Sequence, residues 1–86
     1  MRNYTNLNLY SLQKNLKVIR KLLNLTCEEF GGMLGCTKQT ISNYEAGRVV
    51  MPKYMGIAIY AVIDSLSVEE NIRQVIDILL DEKEPS

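Results

Sequence analysis

The spacing of apolar side chains is helical from the first clear pattern in the chain onward. Four residues recur at three- or four-residue intervals on one predicted helix face, namely Leu12, Leu16, Ile19 and Leu23. Either Asn8 or Ser11 can cap the start of this first predicted helix. The opening segment MRNYTNLNLY is polar and rich in asparagine, and we expect it to form a loose arm.

Capping signals mark the start and the end of a second helix. Thr26 and Glu29 have the spacing of a capping box, in which each side chain accepts from the backbone of the other. The second helix is therefore predicted to begin at Cys27. Gly35 suits the left-handed residue that follows a helix, so the helix is predicted to end near Leu34.

A third helix follows at once. Thr37 is a suitable N-cap, and Gly47 supplies another left-handed stop after Glu45 and Ala46. The predicted third helix covers residues 38–45. Two short helices joined by a glycine turn therefore occupy residues 27–46.

Two further helices are predicted in the remainder of the chain. Pro52 or Lys53 opens the fourth, because proline is favoured in a first helical turn. The ten residues that follow are apolar on nearly every side, which predicts burial on most sides. Ser67 and Glu70 fit a second capping box, which opens a last helix that ends near Glu82. Five predicted helices and no strand pattern indicate an all-α fold.

Composition and length are those of one soluble globular domain. The chain has 86 residues, of which 47% are apolar and 23% charged. We expect residues 52–82 to complete the core and to provide dimerisation. The longest apolar run has ten residues, interrupted by Gly56, whereas a membrane span needs about 18. No secretion signal is visible. The expected location is cytoplasmic, with no membrane partner.

Cysteine and histidine content argues against a metal site. The only two cysteines, Cys27 and Cys36, are nine positions apart, and the chain has no histidine. A zinc site needs four ligands, usually Cys and His in close pairs. We therefore predict no metal, no cofactor and reduced, packed thiols. A disulfide between the two cysteines stays open as an alternative.

Charge is divided between the two halves of the chain. Residues 1–54 contain eight basic and three acidic side chains, a net charge of +5, whereas residues 55–86 contain two and seven, a net charge of −5. The division indicates an anionic partner for the first half only. The alternative is an uneven solvated surface.

Three glycines within the stretch GGMLGCTKQT raise the question of a phosphate-binding loop. A P-loop reads G-x-x-x-x-G-K-[ST] after a strand, and a dinucleotide fold reads G-x-G-x-x-G after a strand. Neither order is present, and no strand is predicted before it. A turn between helices explains Gly35, and a close helix crossing explains Gly31. No packing reason is evident for Gly32, which costs up to about 1 kcal/mol inside a helix relative to alanine.

The segment LTCEEFGGMLGCTKQTISNYEAGR resembles the phage repressor and Cro-type helix-turn-helix family. That family usually reads Leu-Thr-Gln-x-x-Leu-Ala-x-x-Leu-Gly-Val-Ser, followed by a recognition helix that ends in Glu-Asn-Gly-Lys/Arg. The likeness runs from about Leu12 to Lys53 and includes the closing Glu45-Ala46-Gly47-Arg48. It implies a lambda-repressor-like domain that binds double-stranded DNA through the predicted helix 38–45.

The resemblance also implies roles for particular side chains. The expected base-reading residues are Thr37, Lys38, Gln39 and Asn43. The expected phosphate contacts are Thr40, Arg48, Lys53, Cys27 and Lys17. Arg20 and Glu45 match positions where the family commonly has a structural salt bridge. The alternatives are a solvated polar helix face for the first group and free surface charges for Arg48 and Lys53.

Two positions depart from the family pattern. Relatives usually have glutamine, which donates to a phosphate, where this chain has Cys27, and asparagine where it has Ala46. On the inner side of the third helix, Ile41 and Tyr44 are expected in the core with three residues of the second helix, Phe30, Met33 and Leu34. The alternative for Tyr44 is a phosphate contact through its hydroxyl.

The last predicted helix has more apolar residues than a small core can cover. We expect an interface between two copies of the chain at Val75, Ile78, Leu79 and Leu80. The simpler alternative is a helix that only closes the core of a monomer. The predicted function is a sequence-specific DNA-binding regulator, a repressor that binds an inverted repeat as a homodimer.

A second functional class is an antitoxin-like protein-interaction module that uses the C-terminal helices. An enzyme is disfavoured, because the chain has no histidine, no nucleophile with an evident base and no cofactor motif.

Overall fold

The computed structural model describes residues 7–81. Six α-helices follow one another in this part of the chain, in place of the five that the sequence predicted. Their bounds are α1 Leu9–Lys14, α2 Leu16–Leu22, α3 Cys27–Leu34, α4 Lys38–Glu45, α5 Lys53–Ser65 and α6 Glu70–Leu80. The described residues contain no strand, which agrees with the all-α prediction. The end predicted for the last helix, Glu82, lies outside them.

The caps predicted around α3 and α4 are present. The Thr26 hydroxyl accepts from the Glu29 N–H at 3.0 Å, and Glu29 Oε1 accepts from the Thr26 N–H at 2.9 Å. Gly35, just after α3, has a left-handed φ of +74°. At the start of α4, the Thr37 hydroxyl accepts from the Thr40 N–H at 3.2 Å. Local side-chain chemistry therefore determines both helix bounds and the turn between them.

The prediction of one continuous first helix is wrong, because the chain is interrupted at Asn15 between α1 and α2. Asn15 Nδ2 donates to the carbonyl of Ser11 at 3.2 Å and to that of Leu79 at 3.0 Å. The Ser11 hydroxyl donates to the same Leu79 carbonyl. Carbonyls in the last turn of a helix have no partner within that helix. Ser11 and Asn15 thus supply hydrogen-bond donors to a carbonyl in the last turn of α6, at the place where the first predicted helix is divided into α1 and α2.

Part of the predicted arm packs onto the protein. Asn8 caps α1, because its Oδ1 accepts at 3.0 Å from the backbone nitrogen three residues later. Leu7 and Leu9 pack against the core. A Cβ at Gly56 of α5 would lie 2.5 Å from the Leu9 side chain and 2.7 Å from that of Leu7. The loose arm is therefore a wrong prediction for these residues, and positions 1–6 lie outside the described part.

The predicted start of the last helix is also wrong. The capping box at Ser67 does not form, and α6 begins at Glu70 without a side-chain cap. The Arg73 guanidinium donates to the carbonyls of Ile63 and Leu66, both at 3.3 Å. These bonds attach the first turns of α6 to the end of α5. The helix α6 therefore starts later than the local capping pattern predicted, and the contact of Arg73 with the end of α5 accompanies this later start.

One apolar cluster joins the helices. It consists of Leu12, Leu16, Ile19, Phe30, Ile41, Tyr44, Met51, Met55, Ile59, Tyr60, Ile63, Ile76 and Leu80. Burial of α5 on most sides is confirmed, because five of residues 54–63 are buried and three are half-buried, and within this range only Tyr54, at 71%, and Ala61 are exposed. Met33, predicted in the core, is 45% exposed. A chain of this size has too little interior to bury every apolar side chain.

Candidate nucleic-acid interface

Gly31 of α3 lies directly against the backbone of the turn that leads into α4. A Cβ added there would lie 2.7 Å from the Cys36 carbonyl oxygen and 3.1 Å from the carbonyl carbon and oxygen of Thr37. The Cys36 N–H donates to the Gly31 carbonyl at 2.8 Å. The missing side chain thus allows the backbone before α4 to lie directly against α3, as a short helix-turn-helix requires.

The two sides of α4 differ in burial. Ile41 and Tyr44 point into the core, and burial raises the pKa of the Tyr44 hydroxyl, with smaller contributions from Tyr54 and Cys36. The outward residues are polar. Thr37, Lys38 and Gln39 are exposed, whereas Thr40 and Asn43 are half-buried. The four residues that we predicted to read bases therefore lie on the side of α4 that faces away from the core.

Three of the polar side chains contact one another. Gln39 Nε2 donates to Asn43 Oδ1 at 3.0 Å, and Arg48 Nη1 donates to the same oxygen at 3.2 Å. Arg48 was expected to contact phosphate and Asn43 to read bases. The structure joins them in one hydrogen-bonded group, which we call the Gln39–Asn43–Arg48 group.

The two threonines of the first turn of α4 form a separate pair. Their hydroxyl oxygens are 3.1 Å apart. Because the Thr37 hydroxyl also accepts from the Thr40 backbone, it is engaged as the helix cap. The methyl group of Thr37 and the hydroxyl of Thr40 take no part in capping the helix.

An ion pair attaches the end of α4 to α2. Arg20 Nε donates to Glu45 Oε2 at 2.6 Å and Nη2 to Oε1 at 3.3 Å, while Nη1 donates to the Leu25 carbonyl at 2.8 Å. Both side chains are less than one-tenth exposed. The hydrogen bond to Glu45 raises the pKa of Arg20 above its usual value. The pair expected from the resemblance is present, and it fixes the end of α4 to α2.

Cys27 has its thiol on this ion pair. Its Sγ lies 3.9 Å from Glu45 Oε1, as a weak donor, and the residue is half-buried. The thiol therefore does not occupy the outward position that a phosphate-binding side chain needs. A phosphate contact at this position would come from the backbone N–H that begins α3.

Gln13 is a structural residue that the sequence analysis missed. Its Nε2 donates to the carbonyls of Tyr44 at 3.2 Å and Val49 at 2.7 Å, and its Oε1 accepts from the Met51 N–H at 3.0 Å. The side chain thereby holds the segment that leaves α4 and contains Arg48. No local pattern around Gln13 signals this, because its partners are more than 30 residues away.

We expect Gln13→Leu to lower the free energy of unfolding by about 1–3 kcal/mol, because the Met51 N–H and the Val49 carbonyl lose this partner and the Tyr44 carbonyl keeps only the Gly47 N–H. Urea denaturation followed by circular dichroism measures the loss. Gln13→Glu is a second variant, since it keeps the acceptor for Met51 but places a carboxylate oxygen against the two carbonyl oxygens, and it should be destabilised as well. A change in Gln13→Leu below about 0.5 kcal/mol, typical of an ordinary surface position, would contradict this role.

The predicted cations outside the Gln39–Asn43–Arg48 group lie on three helices. Lys17 is exposed on α2, Lys38 on α4, and Lys53 at the first position of α5. Three different helices thus contribute exposed basic side chains. Attraction to a long anion such as DNA needs only such a distributed set.

The residues predicted for an interface between copies differ in burial. Ile78 is 72% exposed and Val75 is 44% exposed on α6. Leu79 is half-buried, and Leu80 is only 6% exposed within the core of its own protomer. Leu80 is therefore a core residue, which makes its placement in an interface wrong. The apolar pattern of α6 does not distinguish buried Leu80 from its exposed neighbours, because the pattern does not show which side of the helix α1 and α2 cover.

Within the described part of the chain, the thiols and acidic side chains form no group of three that could hold a metal ion. Cys27 and Cys36 are free and half-buried, and burial raises the pKa of the Cys36 thiol. None of the helices in residues 7–81 has the length and apolar character needed to cross a membrane.

The geometry around Gly31 and the caps of α3 and α4 agrees with a comparison of sequences. Residues 16–54, from the start of α2 to the first turn of α5, match the model of the helix-turn-helix family. Comparison with curated proteins and with solved structures gave no match. Residues 16–54, a little under half of the chain, are therefore similar to the helix-turn-helix family of the Cro and phage-repressor type, a family of DNA-binding regulators of transcription.

Proposed function

We propose that this protein is a repressor that binds an inverted repeat in double-stranded DNA as a homodimer, with α4 in the major groove. The observation that carries the proposal is the division of α4 into a buried apolar side and an outward polar side with the Gln39–Asn43–Arg48 group. A helix in the major groove reads base edges through side chains of this kind.

Gln39 is the leading base-reading residue. A carboxamide can donate to adenine N7 and accept from adenine N6 at the same time. Lys38 is exposed beside it and can donate to the acceptors of guanine, and the Thr37 methyl group can contact a thymine methyl. Asn43 lies one turn further along the helix. Together these residues would read several consecutive base pairs of one half-site.

Phosphate contacts would come from exposed donors around α4. Lys17 and Lys53 are exposed cations on α2 and α5, and the Thr40 hydroxyl and the N–H at Cys27 add neutral donors. Each neutralised phosphate releases counterions, so affinity falls as the salt concentration rises. Such contacts place α4 on the DNA without reading sequence.

Dimerisation would bury the exposed apolar side chains of α6, chiefly Val75 and Ile78, with Leu79 at the edge. Two copies related by a two-fold axis would place their recognition helices about 34 Å apart, one turn of DNA. The acidic charge of residues 55–86 would then lie away from the phosphates. We expect the complex to form in the cytoplasm.

Fluorescence anisotropy tests the proposed function directly. The purified chain is titrated against DNA from just upstream of its own gene and against a scrambled duplex, at two salt concentrations. We expect tighter binding to the native duplex and a loss of affinity on both duplexes at the higher salt concentration. Equal binding to both, checked with sites selected from a random duplex library, would contradict sequence-specific binding.

Gln39→Ala is expected to cost about 1–3 kcal/mol of binding free energy on a selected site and much less on scrambled DNA, because it removes a bidentate base contact. Anisotropy titrations on both duplexes measure the two losses. Lys17→Ala is the control. Loss of a phosphate contact should weaken binding to both duplexes alike and lower the salt dependence of the affinity. Equal losses on both duplexes for Gln39→Ala would remove it from the base-reading residues.

A second candidate is an antitoxin-like module that binds another protein through α6. The observation in its favour is the exposure of Ile78 and Val75 on α6, whose opposite side is buried in the core through Ile76 and Leu80. Sedimentation equilibrium of the pure chain separates the candidates. A dimer in which Ile78→Lys is monomeric favours the homodimer, whereas a wild-type monomer leaves this surface for a different protein.

A further inference from the structure

The hydrogen bonds of the Gln39–Asn43–Arg48 group fix the orientation of two carboxamides. A guanidinium has only N–H donors and cannot accept a hydrogen bond. Arg48 Nη1, at 3.2 Å, therefore requires Asn43 to present its oxygen and not its nitrogen. The same oxygen lies 3.0 Å from the Gln39 amide, so Gln39 must present its Nε2. One cation thus sets the orientation of both amides.

The backbone brings Arg48 and Asn43 together independently of their side chains. After α4 the Gly47 N–H donates to the Tyr44 carbonyl at 3.1 Å, and the Arg48 N–H donates to the Asn43 carbonyl at 3.0 Å. Gly47 has a φ of +73°. This pair of bonds is the Schellman motif, which places the second residue beyond the cap against the third residue from the helix end. An apolar contact frequently accompanies the motif, and here a polar one takes that place.

The orientation determines which base edges each amide can read. Gln39 keeps its Oε1 acceptor and one remaining N–H of Nε2, which is the pattern that pairs with adenine N6 and N7. Asn43 Oδ1 already accepts two bonds, so Asn43 has only the donors of its Nδ2 to offer. Such a donor pairs with guanine N7 or O6, with thymine O4 or with adenine N7, and it cannot pair with the amino group of cytosine, which is itself a donor.

We propose that Arg48 is a positioning residue that gives this protein part of its sequence specificity by orienting Asn43 and, through it, Gln39. The half-site would then contain an adenine opposite Gln39, and at the neighbouring pair Asn43 would face an acceptor of guanine, adenine or thymine rather than the amino group of cytosine. This inference rests on the proposed function, since it requires α4 to lie in the major groove. It gives Arg48 a role that differs from the phosphate contact expected from the sequence.

Lys53 provides the matched control for the test. It is an exposed cation that follows the same helix, and no part of the Gln39–Asn43–Arg48 group involves it. A role in general attraction to phosphate predicts the same behaviour for Arg48→Ala and Lys53→Ala. A positioning role predicts that only Arg48→Ala alters discrimination between bases.

The experiment first selects a preferred site with the wild type from a random duplex library. Dissociation constants are then measured by anisotropy for that site and for each single-base variant of one half-site, with wild type, Arg48→Ala and Lys53→Ala. We expect Lys53→Ala to raise the dissociation constant for every duplex by one common factor. Arg48→Ala should reduce discrimination by about tenfold at two adjacent positions, the factor equivalent to about 1.4 kcal/mol of base recognition.

Unchanged discrimination in Arg48→Ala at every position would overturn the inference and leave the proposed function intact. Failure of the wild type to select any site would overturn both. A readout without DNA accompanies these titrations, namely the side-chain amide signals of Asn43 and Gln39 in NMR spectra. Arg48→Ala should shift both signals while Lys53→Ala leaves them unchanged, and identical spectra for the two variants would also overturn the inference.

Discussion

Replacing Glu45 by leucine is expected to lower the free energy of unfolding by about 3–5 kcal/mol, because it leaves a charged Arg20 buried with too few partners. Arg20 is only 7% exposed, and its one other acceptor is the Leu25 carbonyl. The loss is a large part of the roughly 5–15 kcal/mol that stabilises a protein of this size. Chemical denaturation, or a melting temperature lowered by roughly 12–40 °C, would measure it.

A double-mutant cycle separates the ion pair from the packing around it. Arg20→Met alone should also destabilise the protein, since the Glu45 carboxylate then loses its partner. The double variant Arg20→Met with Glu45→Leu should be more stable than either single variant, because no uncompensated charge is buried. Only the Leu25 carbonyl loses its donor in the double variant. Single-variant losses below about 1 kcal/mol, the range of exposed pairs, would show that the ion pair contributes little.

Gly31→Ala is expected to destabilise the protein by about 1–3 kcal/mol, in spite of the better helix propensity of alanine. The new Cβ would lie 2.7 Å from the Cys36 carbonyl oxygen and close to the Thr37 backbone. These are backbone atoms that a change of rotamer cannot move aside. To relieve the overlap, α3 and α4 must move apart, so we expect DNA affinity to fall as well. Thermal unfolding and anisotropy measure the two effects.

Gly32→Ala is the matched control, because it makes the same chemical change at the next position of the same helix. A Cβ at Gly32 would meet nothing within 4 Å, and the residue is exposed. The free energy of unfolding should therefore rise by about 0.5–1 kcal/mol, the usual gain of alanine over glycine inside a helix. Opposite signs at the two positions would support the close crossing, whereas a stabilising Gly31→Ala would contradict it.

The helix-turn-helix itself could be predicted from sequence because its determinants act over three or four residues. Thr26, Glu29 and Thr37 satisfy backbone groups within one turn of themselves. Gly35 and Gly47 take a left-handed φ that other residues rarely adopt. The outward polar side of α4 follows from the same helical periodicity once Ile41 is placed inside.

The orientation of the amides in the Gln39–Asn43–Arg48 group depends partly on local sequence and partly on a contact between the helix and the turn that follows it. The Schellman motif is readable from Glu45-Ala46-Gly47-Arg48, and its geometry brings Arg48 to Asn43. The family resemblance implied separate roles for these two residues, base reading for Asn43 and phosphate contact for Arg48. A reading of the motif that included side chains would have placed them in contact.

The sequence by itself determined the all-α class, the bounds of α3 and α4 and the glycine turn, since each depends on neighbours along the chain. The tertiary structure alone decided the interruption at Asn15, the later start of α6 and the burial of Leu80. It also decided the role of Gln13. The physical reason is the distance along the chain between partners, which is 64 residues for Asn15 and Leu79 and 36 for Gln13 and Val49. Backbone groups left unpaired at helix ends find such partners only when the packed helices bring distant segments together.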